Sequence, residues 1–331
     1  MTHVIQKWNS CDAGRQLCVT HAGVFHADEV LATAILERAF GDIEVLRVIA
    51  VPDCLPEGAI VYDIGGGPLD HHQQNGNGCR VNGIPYASSG LVWRVYGKQA
   101  LGTLSDAERV QSFVDDALVS RVDAADNGAI ARFDDGAQSP LTVTEAISGF
   151  NPIDGNKESY DTAFLKAVKW MRAILDNSIR SAIASVSAEA EVNRAIGNAV
   201  NGLLILDRYQ PWKKVLADSE NPKTDSVISA IYPSVRGGFN WQVACEDREG
   251  AYPRFLAPQG WWGKEGEELQ HECGVDDALF CHRSGFIGGA KTKAGAIRMA
   301  EQLVRGESQS SVSSKPSRYR QSAKSGTASR L

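Results

Sequence analysis

The chain has 331 residues, 43% of them hydrophobic and 22% charged, which is the balance of a globular protein too long for a single core. A net charge of −6 and a pI near 5.7 exclude a protein that coats nucleic acid through bulk positive charge, while leaving room for one basic channel. Seven cysteines, odd in number and without a CxxC pair, argue against a disulfide framework or a structural zinc site.

The opening "MTHVIQKWNSCDAG" lacks a basic-then-apolar signal pattern, and no window reaches the length of a membrane span. The expected compartment is therefore the reducing cytoplasm, with no membrane partner. The first predicted strand is "QLCVTHAG", ending at His21, and a helix follows from Asp28 to about Phe40. "IEVLRVIA" and "AIVYDIGGG" read as two more strands, the latter running into Asp63. Strand, helix and strand at this spacing predict a parallel sheet with crossover helices, which gathers functional groups where its strands end. "PYASSGLVWRVYG" is expected to be helical, and Ser105 to cap a long helix through Val122. Asn127-Gly128 then marks a turn, and a long alanine-rich helix runs from about Ser159 to Ile196.

After Gly202 the pattern changes to short strands, "LLILD", "SVISAIYP", "FNWQVACE" and "ALFCH". A glycine-rich turn and a helix from about Lys293 to Val304 follow. The simplest account is a domain over 1–200 that includes the long connecting helix, then a smaller α+β domain over 201–306. The serine-rich, basic segment 307–331 is expected to be a disordered tail.

Histidine and aspartate recur in four separate stretches. "THAGVFHADE" brings His21, His26 and Asp28 to a strand-to-helix junction, and Asp63 ends the third strand. "GPLDHHQQNGNG" carries Asp70, His71 and His72, and "RVDAADNG" carries Asp123 and Asp126. Taken singly, each has an ordinary reading as a buried histidine, a helix-start charge or a turn former. Together they supply the mixed imidazole and carboxylate donors that a pair of divalent cations needs, with manganese, iron or zinc favoured over magnesium. "IGGGP" does not open a helix as a dinucleotide-binding loop must, so its glycines are read as room for backbone beside the metals.

In order and spacing, "THAGVFHADEVLA", "VYDIGG", "DHHQ", "SSGLVW", "VDAADNG", "GFNWQV" and "SGFIGGAKTKAGAIRMA" resemble the DHH phosphoesterase superfamily. Within it they are most similar to the melanocyte-proliferating-gene exonuclease family, from Leu17 to about Val304. The resemblance implies an α/β fold in which a DHH-type parallel-sheet domain with flanking helices is joined by a long helix to a smaller α+β domain. It implies two divalent metal ions, manganese preferred and magnesium the alternative. Their ligands would be His21, His26, Asp28, Asp63 as the bridging carboxylate, and His71. Asp126 is the favoured fourth carboxylate, with Asp123 the alternative, and Asp70 and His72 are supporting catalytic groups. One departure stands out: superfamily members often place His, Asp and Asp at i, i+4 and i+6, whereas here His21, His26 and Asp28 stand at i, i+5 and i+7. A histidine has replaced an aspartate, which favours manganese or a later metal.

In the second domain His282, Ser284, Gly285, Gly288, Gly289 and Lys291 form the expected substrate-binding loop, its backbone amides holding a phosphate with Lys291 and Lys293 nearby. Trp212, Trp241, Trp261 and Trp262 are candidates for base stacking, with core packing equally open. The function expected from these features is 3′-to-5′ exonuclease action on single-stranded RNA or short oligonucleotides. Hydrolysis of a small phosphorylated molecule, such as a cyclic dinucleotide or pyrophosphate, is the alternative, and an inactive binder a distant third. Whether the chain forms a homodimer is left open.

Overall fold

The structure is a computed structural model that describes residues 1–7, 14–129, 140–153, 159–246 and 253–305. Cys11 and the basic tail 307–331 lie outside the described residues. The chain divides into two compact units, Met1–Val186 and the part from Ser187 onward.

The first unit holds four parallel strands in the order β1-β3-β2-β4: β1 is Thr2–Ile5, β2 Gln16–His21, β3 Ile43–Val48 and β4 Ile60–Val61. Alternation along β2 gives the sheet two faces. Cys18 points with Ile43 and Val45 into the main core, while Leu17 and Val19 join Leu46 in a smaller cluster flanked by Leu55 and Ala59. The expected third strand is cut to two residues, because Tyr62 turns its hydroxyl to Thr33 and Asp63 adopts a left-handed backbone.

Helix α1, Ala27–Phe40, is buried on nearly every side along Ala27–Leu36 and packs against α2, Ser88–Leu101. The predicted helix from Ser105 starts instead after Asp106 and is divided into three segments. Of these, α3 covers Ala107–Val114, a π-helical turn covers Asp115–Val119, and α4 covers Ser120–Asp126. The extra residue of a π turn rotates the helix beyond it, and here that segment carries Asp123 and Asp126. A short α5, Val143–Ser148, precedes α6, Tyr160–Gly197. Phe164, Val168, Met171, Leu175, Ile179 and Ala182 recur at three- and four-residue steps and bury one stripe of α6 in the first core.

The second unit is built on a five-stranded sheet in the order β5-β6-β7-β9-β8: β5 is Leu203–Ile205, β6 Ser229–Pro233, β7 Phe239–Val243, β8 Ala278–Cys281 and β9 Ile287–Ala290. Only the β5–β6 pair is parallel. Helix α7, Trp212–Asp218, covers one face with Leu204, Ala230 and Tyr232, while α8, Gly266–Cys273, and α9, Lys293–Arg305, share a core with Trp241, Ala278 and Ala290 on the other. Gly288 and Gly289 are therefore strand residues, which corrects the expected flexible loop. Trp241 lies across the sheet over Gly288, and a Cβ there would stand 2.5 Å from its ring and 2.6 Å from the Phe280 carbonyl.

Candidate metal centre

The cluster forms where the parallel strands end. His21 is the last residue of β2, Asp28 and Glu29 lie in the first turn of α1, and Asp63 follows β4. Asn151 fixes the turn between His21 and α1, its amide donating to the Phe25 carbonyl at 2.8 Å while its oxygen accepts the Phe25 N–H at 3.0 Å. Arg47, buried over Phe164, donates to the Gly23 carbonyl at 2.9 Å.

Two histidines divide the donors. His21 Nε2 lies 3.1 Å from Glu29 Oε1 and 3.2 Å from Asp63 Oδ2. His71 Nε2 lies 3.3 Å from both Asp63 Oδ1 and Asp126 Oδ2, and 3.5 Å from Asp28 Oδ2. The two Asp63 oxygens thus face different histidines. Ligand atoms of His21, His26 and Glu29 fall within 4.8 Å of one another, as do those of Asp28, Glu29 and Asp63, of Asp28, His71 and Asp126, and of Asp63, His71 and His72. Ser88, at the start of α2, donates its hydroxyl to Asp63 at 2.8 Å and its N–H to Asp28 at 3.3 Å.

The acids of the cluster crowd one another. Burial pushes the Asp28 carboxyl well above the usual carboxylate range, and the charges of Asp63, Glu29 and Asp126 push it further. Burial opposes charge on His21 as well, yet its hydrogen bonds to Asp63 and Glu29 prevail and raise it to about 10. Asp63 is also penalised by burial but is held below the usual range by His21, His71 and Ser88. Four converging carboxylates with imidazole nitrogens among them are a donor set that divalent cations fit.

Asp70 and His72 stand at the rim. Asp70 is buried and accepts the Gly66 N–H at 2.7 Å, the His72 N–H at 3.1 Å and the His72 ring Nδ1–H at 2.8 Å, while the His72 side chain is 60% exposed. The loop that carries them is pinned by Asn77, whose amide donates to the carbonyls of Pro68 at 2.8 Å and Asp70 at 3.2 Å, and by Gln73, which donates to Gly67 at 2.9 Å. The asparagines and glycines after the Asp-His-His run thus tie it back on itself.

Of the two alternatives for a fourth carboxylate, Asp126 joins the cluster and Asp123 faces away. Asp123 is fully buried, accepts from the Ser89 hydroxyl and, at 3.0 Å, from the Gly90 N–H, and pairs with Arg80 at 2.8 Å. Arg80 also grips Asp115 of the π turn with two bonds of 2.7 and 2.8 Å and stacks on Tyr86. A side chain at Gly90 would overlap the Asp123 carboxylate. The three residues of "SSG" therefore join α2 to the cluster and to Asp123 in turn. Glu29 is the cluster member that sequence reading passed over. An acid at the third position of a helix reads as part of a cap, and its carboxylate does accept the His26 N–H.

The expected substrate-binding residues meet a different environment. Beyond β9 the α9 N-terminus already holds a carboxylate: Asp277 accepts the Thr292 N–H at 2.9 Å and hydroxyl at 2.6 Å, and Arg298 lies 3.2 Å away. Thr292 in turn accepts the Gly295 N–H at 3.0 Å. An internal anion thus sits where a phosphate was expected. Lys291 and Lys293 stay at the surface, Lys293 lying 3.6 Å from Asp207. His282 packs on Phe286 and accepts the Ser284 N–H at 3.1 Å, and Gly285 adopts a positive φ of 66° against the Trp262 ring. Trp212, Trp241 and Trp261 are buried in the core, and Trp262 spends its N–H on the Ala257 carbonyl. Core packing thus encloses Trp212, Trp241 and Trp261, while Trp262 is half-buried.

Among the described residues six cysteines take part in no disulfide, and no helix is long and apolar enough to cross a membrane. Residues 17–304 match the family MYG1_exonuc, described as an uncharacterised protein family (UPF0160). MYG1 protein C694.04c of Schizosaccharomyces pombe is 29% identical over 316 residues, covering 86% of this chain and 96% of that protein. MYG1 exonuclease of Bos taurus is 30% identical over 325 residues, covering 86% and 84%. Among solved structures, RecJ of Thermus thermophilus in complex with Mg2+ aligns with a TM-score of 0.24 and 14% identity, over 88% of this chain and 50% of that one, too distant a likeness to build on.

Proposed function

Because this chain belongs to the MYG1_exonuc family (UPF0160), we propose that it is a divalent-metal-dependent phosphodiesterase that removes nucleotides from the 3′ end of single-stranded RNA or short oligonucleotides. One observation carries the reading: Asp28, Asp63, His71 and Asp126, from four separate stretches, bring their donor atoms together at the carboxyl edge of a parallel sheet, with His21 on the far side of Asp63. The names of relatives such as the Bos taurus exonuclease support the nuclease class. His21, Asp28, Asp63, His71 and Asp126 would hold the metal, and manganese suits their mixed nitrogen and oxygen donors. When bound, a pair of such cations supplies Lewis acidity toward phosphate oxygens and lowers the pKa of a water.

The chain's own groups do the positioning. Asp70 holds the His72 ring through Nδ1–H, so that His72 in its imidazolium form would present Nε2–H to a phosphate at the exposed rim and stabilise charge that develops on it. Ser88 holds Asp63 and Asp28 in place from the start of α2. The test is incubation with manganese and 5′-labelled RNA, single-stranded DNA, dinucleotides or pyrophosphate, alongside Asp63→Ala and His71→Ala. A stepwise ladder from the 3′ end of RNA, lost in both variants, is the expected result. Turnover confined to dinucleotides or pyrophosphate would move the assignment to small phosphorylated molecules, which the net charge of −6 suits. No turnover with any metal would leave an inactive binder.

A further inference from the structure

Resting on the metal-dependent reading above, we propose that Glu29 is itself a metal ligand, completing with His21, His26 and Asp63 a pole of two imidazoles and two carboxylates. The other pole then consists of His71, Asp28, Asp126 and the second Asp63 oxygen, one imidazole and three carboxylates. The two poles differ in kind, the first suited to manganese and later metals and the second tolerant of magnesium.

A capping role alone does not explain where Glu29 sits. The carboxylate that closes a helix start needs only to reach the N-cap N–H. Glu29 is fully buried, and its Oε1 also lies 3.1 Å from His21 Nε2. Its ligand atom is within 4.8 Å of those of Asp28 and Asp63 in one grouping and of His21 and His26 in another. Three carboxylates buried this closely repel one another unless protons or cations lie among them, and each has a donor atom in position to take a cation. Two further features prepare the pole. His21 Nδ1 faces the Ala22 carbonyl at 3.2 Å, so a cation that displaces the Nε2 proton would meet a ring already oriented towards Glu29 and Asp63. His26, an exposed residue at the start of α1, stands with its ring centre 6.0 Å from that of His21, on the open side of the same grouping. The same assignment accounts for the i+5 histidine: with Glu29 supplying the carboxylate that an aspartate gives elsewhere, an imidazole at His26 leaves the pole with two oxygens.

The experiment is calorimetric titration of the chelator-stripped full chain with manganese chloride. The wild type is expected to take up two ions per chain. Glu29→Gln keeps a side chain that can still accept the His26 N–H, and is expected to lose one binding step by at least ~100-fold, more than the 10–100-fold typical of an outer-shell partner, while keeping the other. His26→Ala, a change at an exposed ring, is expected to lose the same step, and Asp126→Asn the opposite one. Two wild-type binding steps in Glu29→Gln, or in His26→Ala should the first variant not fold, would overturn the assignment of Glu29 while leaving the metal-dependent reading intact. A wild-type chain that binds no manganese would instead overturn both.

Discussion

Asp63 reaches both histidines because its backbone is left-handed, with φ at 59°. Such a conformation costs an L-residue about 1–2 kcal/mol, and aspartate tolerates it better than most. The surroundings hold it there, through its N–H to the Leu69 carbonyl at 3.1 Å and the Ser88 hydroxyl at 2.8 Å. Asp123 shows the opposite use of a buried carboxylate. Burial pushes it up to about 6, even though Ser89 and Arg80 favour its charged form. Arg80→Ala would leave that charge unpaired, and denaturant unfolding is expected to show a loss of about 3–5 kcal/mol. A loss under about 1 kcal/mol, the range of an exposed pair, would mean that Asp123 is not charged in the fold. At Asp277 the bonds from Thr292 and the charge of Arg298 outweigh the burial penalty and hold the carboxyl below its usual range. A lowered folded pKa gives stability that is present above the unfolded pKa and lost as pH falls through the folded one. Asp277→Ala is therefore expected to cost about 1–2 kcal/mol at pH 7, a gap that closes below roughly pH 4. An equal gap at neutral pH and in acid below that point would contradict the role given to its charge.

Among the elements, β9 is the one whose sequence misleads. Ile287, Gly288, Gly289 and Ala290 read as a loop because glycine weakens a strand, yet a neighbouring ring can require it. Gly288→Ala would press a methyl group on the Trp241 ring and the Phe280 carbonyl, neither free to move. The expected cost is about 1–3 kcal/mol, with a change in tryptophan emission, and a variant as stable as the wild type would show that the sheet yields there. Strands β2 and β3 and helices α1 and α6 were legible from their apolar spacing, as were the histidines and carboxylates at the sheet edge. Four features were not. β1 is four half-buried residues with no run of apolar side chains, and it exists because β3 offers a parallel edge. The π turn leaves no local signature, because its extra residue is stabilised by Arg80 on Asp115, a contact across 35 positions. Glu29 was hidden by its second role at the helix start. Asp126 over Asp123 was likewise decided by the turn of α4, which three residues of sequence could not orient.

For the whole molecule, the bulk charge and the donor cluster together set what a substrate can gain. With 40 acidic against 34 basic residues, the chain has no excess of positive charge to neutralise phosphates over a long strand. RNA binding is thus expected to depend weakly on salt, with a log–log slope of magnitude no more than about 3, since each neutralised phosphate on a single strand contributes roughly 0.7. A slope of about 7 would reveal an extended basic track that the composition does not suggest. Under the proposed function, such a molecule would rely on the cluster for the reacting phosphate rather than on long-range attraction along a strand. The most direct test follows the release of nucleotides from 5′-labelled single-stranded RNA by the full chain, before and after stripping with a chelator and again after manganese is restored, beside Asp63→Asn. The account predicts that activity disappears on stripping, returns with manganese and never appears in Asp63→Asn. Undiminished cleavage by the stripped chain, or by Asp63→Asn, would contradict it.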